Sequence, residues 1–482
     1  MKLARIGGVI SSTRSSFRSA LVLCTLAGAA MGLTGCKGGA GSGFSDAAPD
    51  PTTIRGSYLA VLNDETTAAA MSKSAGKAAS DQLTVIKLPI LDADATVQEW
   101  QTSFTRLPVP SAMGNQPGAI AASADGSMLF IVSAEGNAKN GDAAGQRVLA
   151  MSMADPMNPK APDGAGAAAL EGAGPSAIAL SPDGTLLAAA CRKSGAELAL
   201  VTIGASGFEQ TNTWSLSALG LKSGEKAWHV SWHPSGKFLA LIAPESRSVA
   251  FFELYRDAEQ IGLAPFGPPV VLADTAQVPV FGQFAGSSGN TFLCVSLGSP
   301  NSGGKGPGAD APTPGAVTSI AFDSTGELVP ATENTPEHVQ AAHRISGFAR
   351  TGIAPVGLAL HSSGQRAVIA NTRAVREGLA GGSLSVLALN TDGAIEAWFE
   401  TGLGTIQGQS DSSVPTSITT DPSGSVIILA VVGKDDTAGE GELIFYTLRK
   451  HGGSAGEEAD KLNRAPLRVG VGKLPHGTVI VR

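Results

Sequence analysis

The sequence predicts an all-β fold: a seven-bladed β-propeller with four antiparallel strands per blade, closed by pairing of the C-terminal strand with the N-terminal strands. Three observations lead there. One hairpin motif recurs, with anchors at residues 117, 175, 227, 279, 355 and 415. The chain ends in half of one further motif, and strand patterns near its start supply what that half lacks. Between the hairpins lie alternating apolar stretches that provide two more strands per unit.

The clearest hairpins are QPGAIAASADGSMLFIVSA from Gln116, GPSAIALSPDGTLLAAACR from Gly174, KAWHVSWHPSGKFLALIAP from Lys226, APVGLALHSSGQRAVIANT from Ala354 and VPTSITTDPSGSVIILAVV from Val414. Each has a Pro or small residue, a short alternating strand, a polar pair with Gly, and a more continuous apolar strand. The Gly takes the positive-φ position of a tight turn, which other residues avoid. From Pro117 to Gly126, Pro175 to Gly184, Pro355 to Gly364 and Pro415 to Gly424 the offset is nine each time. Ala227 to Gly236 keeps it with Ala for Pro, and VPVFGQFAGSSGNTFLCVS from Val278 carries one inserted residue between Pro279 and Gly289. The spacing predicts a seventh anchor near residue 475, where Leu474-Pro475-His476-Gly477-Thr478-Val479-Ile480-Val481 stands. The rest of that blade is expected from GSYLAVLND at Gly56 and QLTVIKLP at Gln82, a closure that removes two open sheet edges.

The expected third and fourth strands are SVAFFELYRDAEQIG, AVTSIAFDSTGELVP, SLSVLALNTDGAIEAWFE and ELIFYTLRKHG. Through P-S-A-I-A-L-S-P-D-G (Pro175 to Gly184) and V-T-S-I-A-F-D-S-T-G-E-L (Val317 to Leu328) the chain resembles the seven-bladed lactonase-like propellers. That group includes a 6-phosphogluconolactonase type and the YVTN-repeat surface proteins. The resemblance covers residues 56–482 and implies the fold. Its motifs are packing and turn residues, so it implies little about activity.

Upstream, residues 1–35 hold Lys2, Arg5, Arg14 and Arg18 and no acid, followed by an apolar run from Ala20 to Leu33 too short to span a bilayer. This is a signal-peptide pattern. It stops at Leu33-Thr34-Gly35-Cys36, which resembles the lipobox of bacterial lipoproteins and implies acylation of Cys36 and a membrane anchor. Residues 36–55, rich in Gly, Ser, Ala and Pro without apolar period, read as a flexible tether, and 56–482 as the propeller. The expected location is the bacterial cell envelope, exported and lipid-anchored; Lys37 after the acylated cysteine resembles outer-membrane sorting in enteric-type bacteria.

Without the four signal bases the chain has 30 basic and 41 acidic residues, a net charge of about −11. With no basic stripe, that argues against a nucleic-acid partner. Besides Cys24 and Cys36 there are only Cys191 and Cys294, in apolar strands of repeats that do not follow one another, so two buried thiols are expected rather than a disulfide. The expected state is a monomer.

Antiparallel order puts the first-to-second and third-to-fourth strand connections on one face, and the second-to-third connections with the entries to each first strand on the other. The first-to-second turns are tight. The second-to-third connections are long and polar, as in DETTAAAMSKSAGKAASD from Asp64, EGNAKNGDAAGQ from Glu135, GSPNSGGKGPGADAPTPG from Gly298, NTRAVREGLAGG from Asn371 and GKDDTAGEGE from Gly433. Long loops on a rigid scaffold are where function usually sits, so that face is the candidate site. Residues entering the first strands there are Lys226, Trp228, His229, Gln277, Arg350, Asp411, Lys473 and His476. Their excess of bases suggests an anionic small molecule as ligand, with an envelope protein as the other candidate partner.

His229 stands where lactonase-like enzymes commonly show a His before the turn, which implies a catalytic acid or base. The Asp-rich segment that follows in such enzymes is replaced by Ala243-Pro244-Glu245-Ser246-Arg247-Ser248. A lactonase also needs a cation or donor for the developing oxyanion, and none is legible. His233 and His361 share the position just before the turn and are turn residues first; a His229-His233 pair lacks a third metal ligand. Gly452-Gly453-Ser454-Ala455-Gly456 matches a nucleophile-elbow pattern, but no α/β sheet surrounds it. No sequence calls for a cofactor or metal. Two readings remain: a binding scaffold acting through its elaborated face, and a lactone- or sugar-acid-directed hydrolase using His229.

Overall fold

The repeated hairpin becomes the inner half of each blade in a computed structural model. The structure describes residues 54–481 apart from 65–80, 89–103, 110–116, 134–146, 161–166, 206, 258–259, 273–276, 287, 299–312, 330–337, 376–380, 407–408, 434–439 and 448–461. Cys36, the export signal, most of the tether and most of the long second-to-third connections lie outside the described residues.

Seven antiparallel sheets form the blades: six have four strands, and blade 4 adds the short strand Val270–Val271 beside Ser248–Asp257 to its four. Their innermost strands are Pro475–Val481 in blade 1, then Ile120–Ala122, Pro175–Leu180, His229–Trp232, Gln277–Ala285, Ile353–Leu360 and Val414–Thr420 in blades 2 to 7. In blade 1 the C-terminal strand lies inside Tyr58–Asn63, Asp81–Lys87 and Phe104–Val109, with Tyr58 opposite Val481 and Asn63 opposite Pro475. The expected closure is the observed one.

Turn chemistry sets the hairpins. Gly126, Gly184, Gly236, Gly289, Gly364 and Gly424 all sit at φ between 68° and 72°, the left-handed region that costs L-residues. In all of these turns but that of Gly289, where Gly286 stands, a side chain three residues before the Gly holds the turn. Ser181 Oγ accepts the Leu186 N–H at 2.9 Å, while the Nδ1 atoms of His233 and His361 accept from Ser235 N and Ser363 N at 3.1 and 3.0 Å. Ladder registers shift just after Pro175, Pro279, Pro355 and Pro415. A proline has no N–H to give, so the repeat's Pro marks a β-bulge.

Second strands such as Leu186–Cys191, Phe238–Ala243 and Val426–Val432 are buried throughout, because a blade faces neighbours on both sides. Outer strands such as Arg344–Arg350 are largely exposed. Seven apolar clusters result, one at each blade interface. Ile480 packs toward blade 7 and Val481 toward blade 2, so one strand seals two interfaces. The fullest aromatic packing lies between blades 4 and 5, where Phe238, Phe251, Phe284 and Phe322 meet His233 and His343. Cys191 and Cys294 are free and buried, and burial pushes both thiols up to about 12.

Two strand assignments are corrected. ELIFYTLRKHG supplies only the third strand of blade 7, whose fourth is Asn463–Lys473. In AVTSIAFDSTGELVP the segment Glu327–Val329 is not the fourth strand of blade 5; it pairs with His338–Gln340 as a separate hairpin. The fourth strand is Arg344–Arg350. Beside Ala316–Ala321 it buries Ala349, while His343, stacked on Phe322 at 4.9 Å, fixes where it begins.

Candidate functional site

The seven innermost strands enclose a central channel of about 420 Å³. Ile178, Val230, Phe281, Val356 and Ile418 give it an apolar wall, with hydroxyls from Ser417 and Thr478, 3.0 Å apart. Among the described residues that line it there is no Asp, Glu, Lys or Arg. Its titratable groups are His229 and His476, and both sit at the strand-entry end, on the elaborated face.

His229 opens the first strand of blade 4, paired with Ile242, and its ring meets Phe281 edge-on at 6.5 Å. A Cβ built on Gly118 would lie 3.5 Å from His229 Nε2, and Gly118 itself adopts φ of 89°. Glycine there leaves the imidazole room across the mouth of blade 3. The Nδ1 atom is enclosed with no hydrogen-bond partner. Although the ring keeps some surface toward the channel, burial alone pushes His229 down to about 4, with no charged group contributing. It is a neutral imidazole, and among the described residues no carboxylate orients it.

His476 is the bulged residue between Pro475 and Gly477 of the closing strand, 2% exposed. Burial holds it below the usual histidine range against opposing pulls from the Asp64 carboxylate, the Leu474 carbonyl and the Asp81 carboxylate. Asp64 and Asp81 flank the first long connection, and both are buried. Sequence reading missed them because they belong to no repeat. The carboxylates looked for beside His229 therefore lie near His476.

The other candidates do not gather here. Lys226 is exposed, 4.0 Å from Glu245, a pair too solvated to fix anything. Trp228 is half-buried with the Arg192 guanidinium 5.1 Å over its ring, and its carbonyl accepts from Ser176 Oγ at 3.2 Å. Gln277 is buried opposite Gly298, outside the lining. Asp411 is a structural anion: it accepts from Ser413 N at 2.9 Å and pairs at 2.5 Å with Arg468, which also pairs with Glu442. Lys473 ends the outer strand of blade 7 opposite Glu440. Arg350 lines a separate groove of about 310 Å³ with Val375, Trp398 and Glu400. The positive rim expected around the mouth is thus spread over several locations. No group of three or more potential metal ligands occurs among the described residues.

No protein-family model matches the chain, and no curated protein does. Solved structures match in fold. A putative 6-phosphogluconolactonase from Bacteroides uniformis aligns with TM-score 0.50 and 13% identity, covering 88% of this chain and 100% of that one. The periplasmic gluconolactonase of Pseudomonas aeruginosa gives 0.51 and 15%, over 88% and 99%. A hypothetical selenium-binding protein from Sulfolobus tokodaii gives 0.54 and 7%, over 90% and 96%. The fold is a lactonase-like seven-bladed propeller. Since one architecture carries such different descriptions, the likeness does not choose a chemistry.

Proposed function

We propose that this chain is a membrane-anchored, extracytoplasmic binding propeller that takes a small uncharged ligand or a protein partner at its elaborated face and does not hydrolyse lactones. The carrying observation is the channel lining, which among the described residues has two neutral imidazoles and no fixed charge. An anion entering it would lose hydration and meet no cation among the described lining residues, so the anionic ligand suggested by the bases at the strand entries gives way to an uncharged one. Acyl transfer would leave an oxyanion without a charged partner on this wall.

A second reading has its own support. His476 with Asp64 and Asp81 nearby is the kind of histidine–carboxylate grouping that hydrolases use, so a hydrolytic base would be His476 before His229. The test is hydrolysis of glucono-δ-lactone and 6-phosphogluconolactone by the purified chain and by His229→Gln and His476→Gln. The binding reading expects rates equal to buffer for all three. A rate above buffer that one substitution abolishes, with melting unchanged, would replace it with the hydrolase. Anchoring is checked separately: Cys36→Ser should leave a folded protein that no longer fractionates with membrane after a salt wash.

A further inference from the structure

The first described residues enter the propeller on its tight-turn face. Ile54 is buried in the core between blades 7 and 1, and the Arg55 N–H donates to Asp421 Oδ2 at 3.4 Å. Asp421 opens the tight turn of blade 7 that Gly424 closes. Ser57 N then donates to the Val481 carbonyl at 2.8 Å, and Leu88 N to the Ser57 carbonyl at 2.8 Å. A Cβ on Gly56, at φ of 127°, would come within 2.4 Å of Ile480 Cγ2, so the entering chain is pressed against the closing strand. The channel mouth with His229 and His476 lies at the other end of the same strands.

We infer that the propeller is held with its tight-turn face toward the membrane and its elaborated face, with the channel mouth, turned outward to a water-borne ligand or partner. This rests on the reading of Cys36 as the lipid anchor. Seventeen residues lie between Cys36 and Ile54, and a Gly/Ser-rich stretch of that length, read from composition as a flexible tether, would span about 23 Å. To bring the elaborated face to the bilayer, the chain would have to cross a blade's width and run down its full depth, together roughly 35 Å. The outward arrangement needs no such extension. It also explains why long loops can accumulate on one face without meeting lipid.

The experiment uses the acylated full-length protein in vesicles carrying a headgroup energy-transfer acceptor. A donor dye is placed by Ser362→Cys, exposed in the tight turn of blade 6, or by Lys193→Cys, exposed in the second-to-third connection of blade 3. Cys191 and Cys294, both 0% exposed, stay unlabelled under native conditions. The two positions differ in height by about one strand length, roughly 20 Å. Transfer should be clearly higher from position 362 than from 193. Equal or reversed transfer in protein that floats with the vesicles overturns the orientation while leaving the anchor intact. Protein that does not float removes the anchor, and this orientation with it.

Discussion

Truncation after Lys473 removes the strand that closes the ring. Val481 is 1% exposed, and Val479 and Ile480 pack partly into the cores on either side of blade 1. Loss of their burial costs about 5 kcal/mol by apolar area. Six residue pairs to Tyr58–Asn63 are lost as well. Their hydrogen bonds, about 1 kcal/mol each net, are offset by the similar backbone entropy the freed strand regains, so the apolar loss sets the total. Five kcal/mol is comparable to the roughly 5–15 kcal/mol margin of a whole domain. An unfolding entropy of about 2 cal/mol/K per residue turns it into a fall of about 5 °C for a ring of this size. The exposed edge at Tyr58–Asn63 should add aggregation. The assay is thermal unfolding with size-exclusion chromatography, together with amide exchange of Tyr58–Asn63. An unshifted melt of a monodisperse protein, with that strand still protected, would refute the closure argument.

Three further outcomes follow from the same geometry. His229 drops from 6.5 to about 4 on folding, so below pH 6.5 the unfolded chain binds a proton that the folded chain refuses. Its contribution is full above pH 6.5 and is lost down to pH 4, by about 3 kcal/mol, and His229→Gln should flatten the melting profile across that window. Gly184→Ala and Gly289→Ala share φ of 72°, but the first adds a Cβ into open space while the second meets His233 Nε2 at 2.5 Å. Denaturant titration should give about 1 kcal/mol for the first and about 2 kcal/mol or more for the second; equal costs would mean the contact is slack. Arg468→Met takes the paired cation from Asp411, whose side chain is 2% exposed, and should cost about 3 kcal/mol, whereas Lys226→Gln should stay within about 0.5 kcal/mol. Similar melting of those two variants would contradict the buried-pair assignment.

The strands and their closure were legible in the sequence because they depend on short-range chemistry. A Gly nine residues after a Pro, an apolar strand on each side and a polar pair between them specify a hairpin whatever surrounds it. Pro475 to Val481 repeats the inner half of that unit, so its missing partners could be sought at Tyr58 to Asn63. The two free, buried cysteines followed from their apolar context in the same way.

Only the tertiary structure decided which polar residues meet. Asp411 and Arg468 lie 57 residues apart in sequence, and no local pattern announces their ion pair. Arg350 and His476 both precede or enter an inner strand, yet one lines a peripheral groove and the other the channel, because Arg350 ends the outer strand of blade 5 while His476 sits within the closing inner strand. Glu327–Val329 had the alternation of a blade strand and lost that place to Arg344–Arg350, whose packing of Ala349 no periodicity could reveal. The sequence by itself determined the repeat, the turns, the blade count and the closure, all fixed by local backbone preference and apolar period. The folded ring decided the site, because seven strands distant along the chain must converge before a channel, an uncharged wall or a buried imidazole exists.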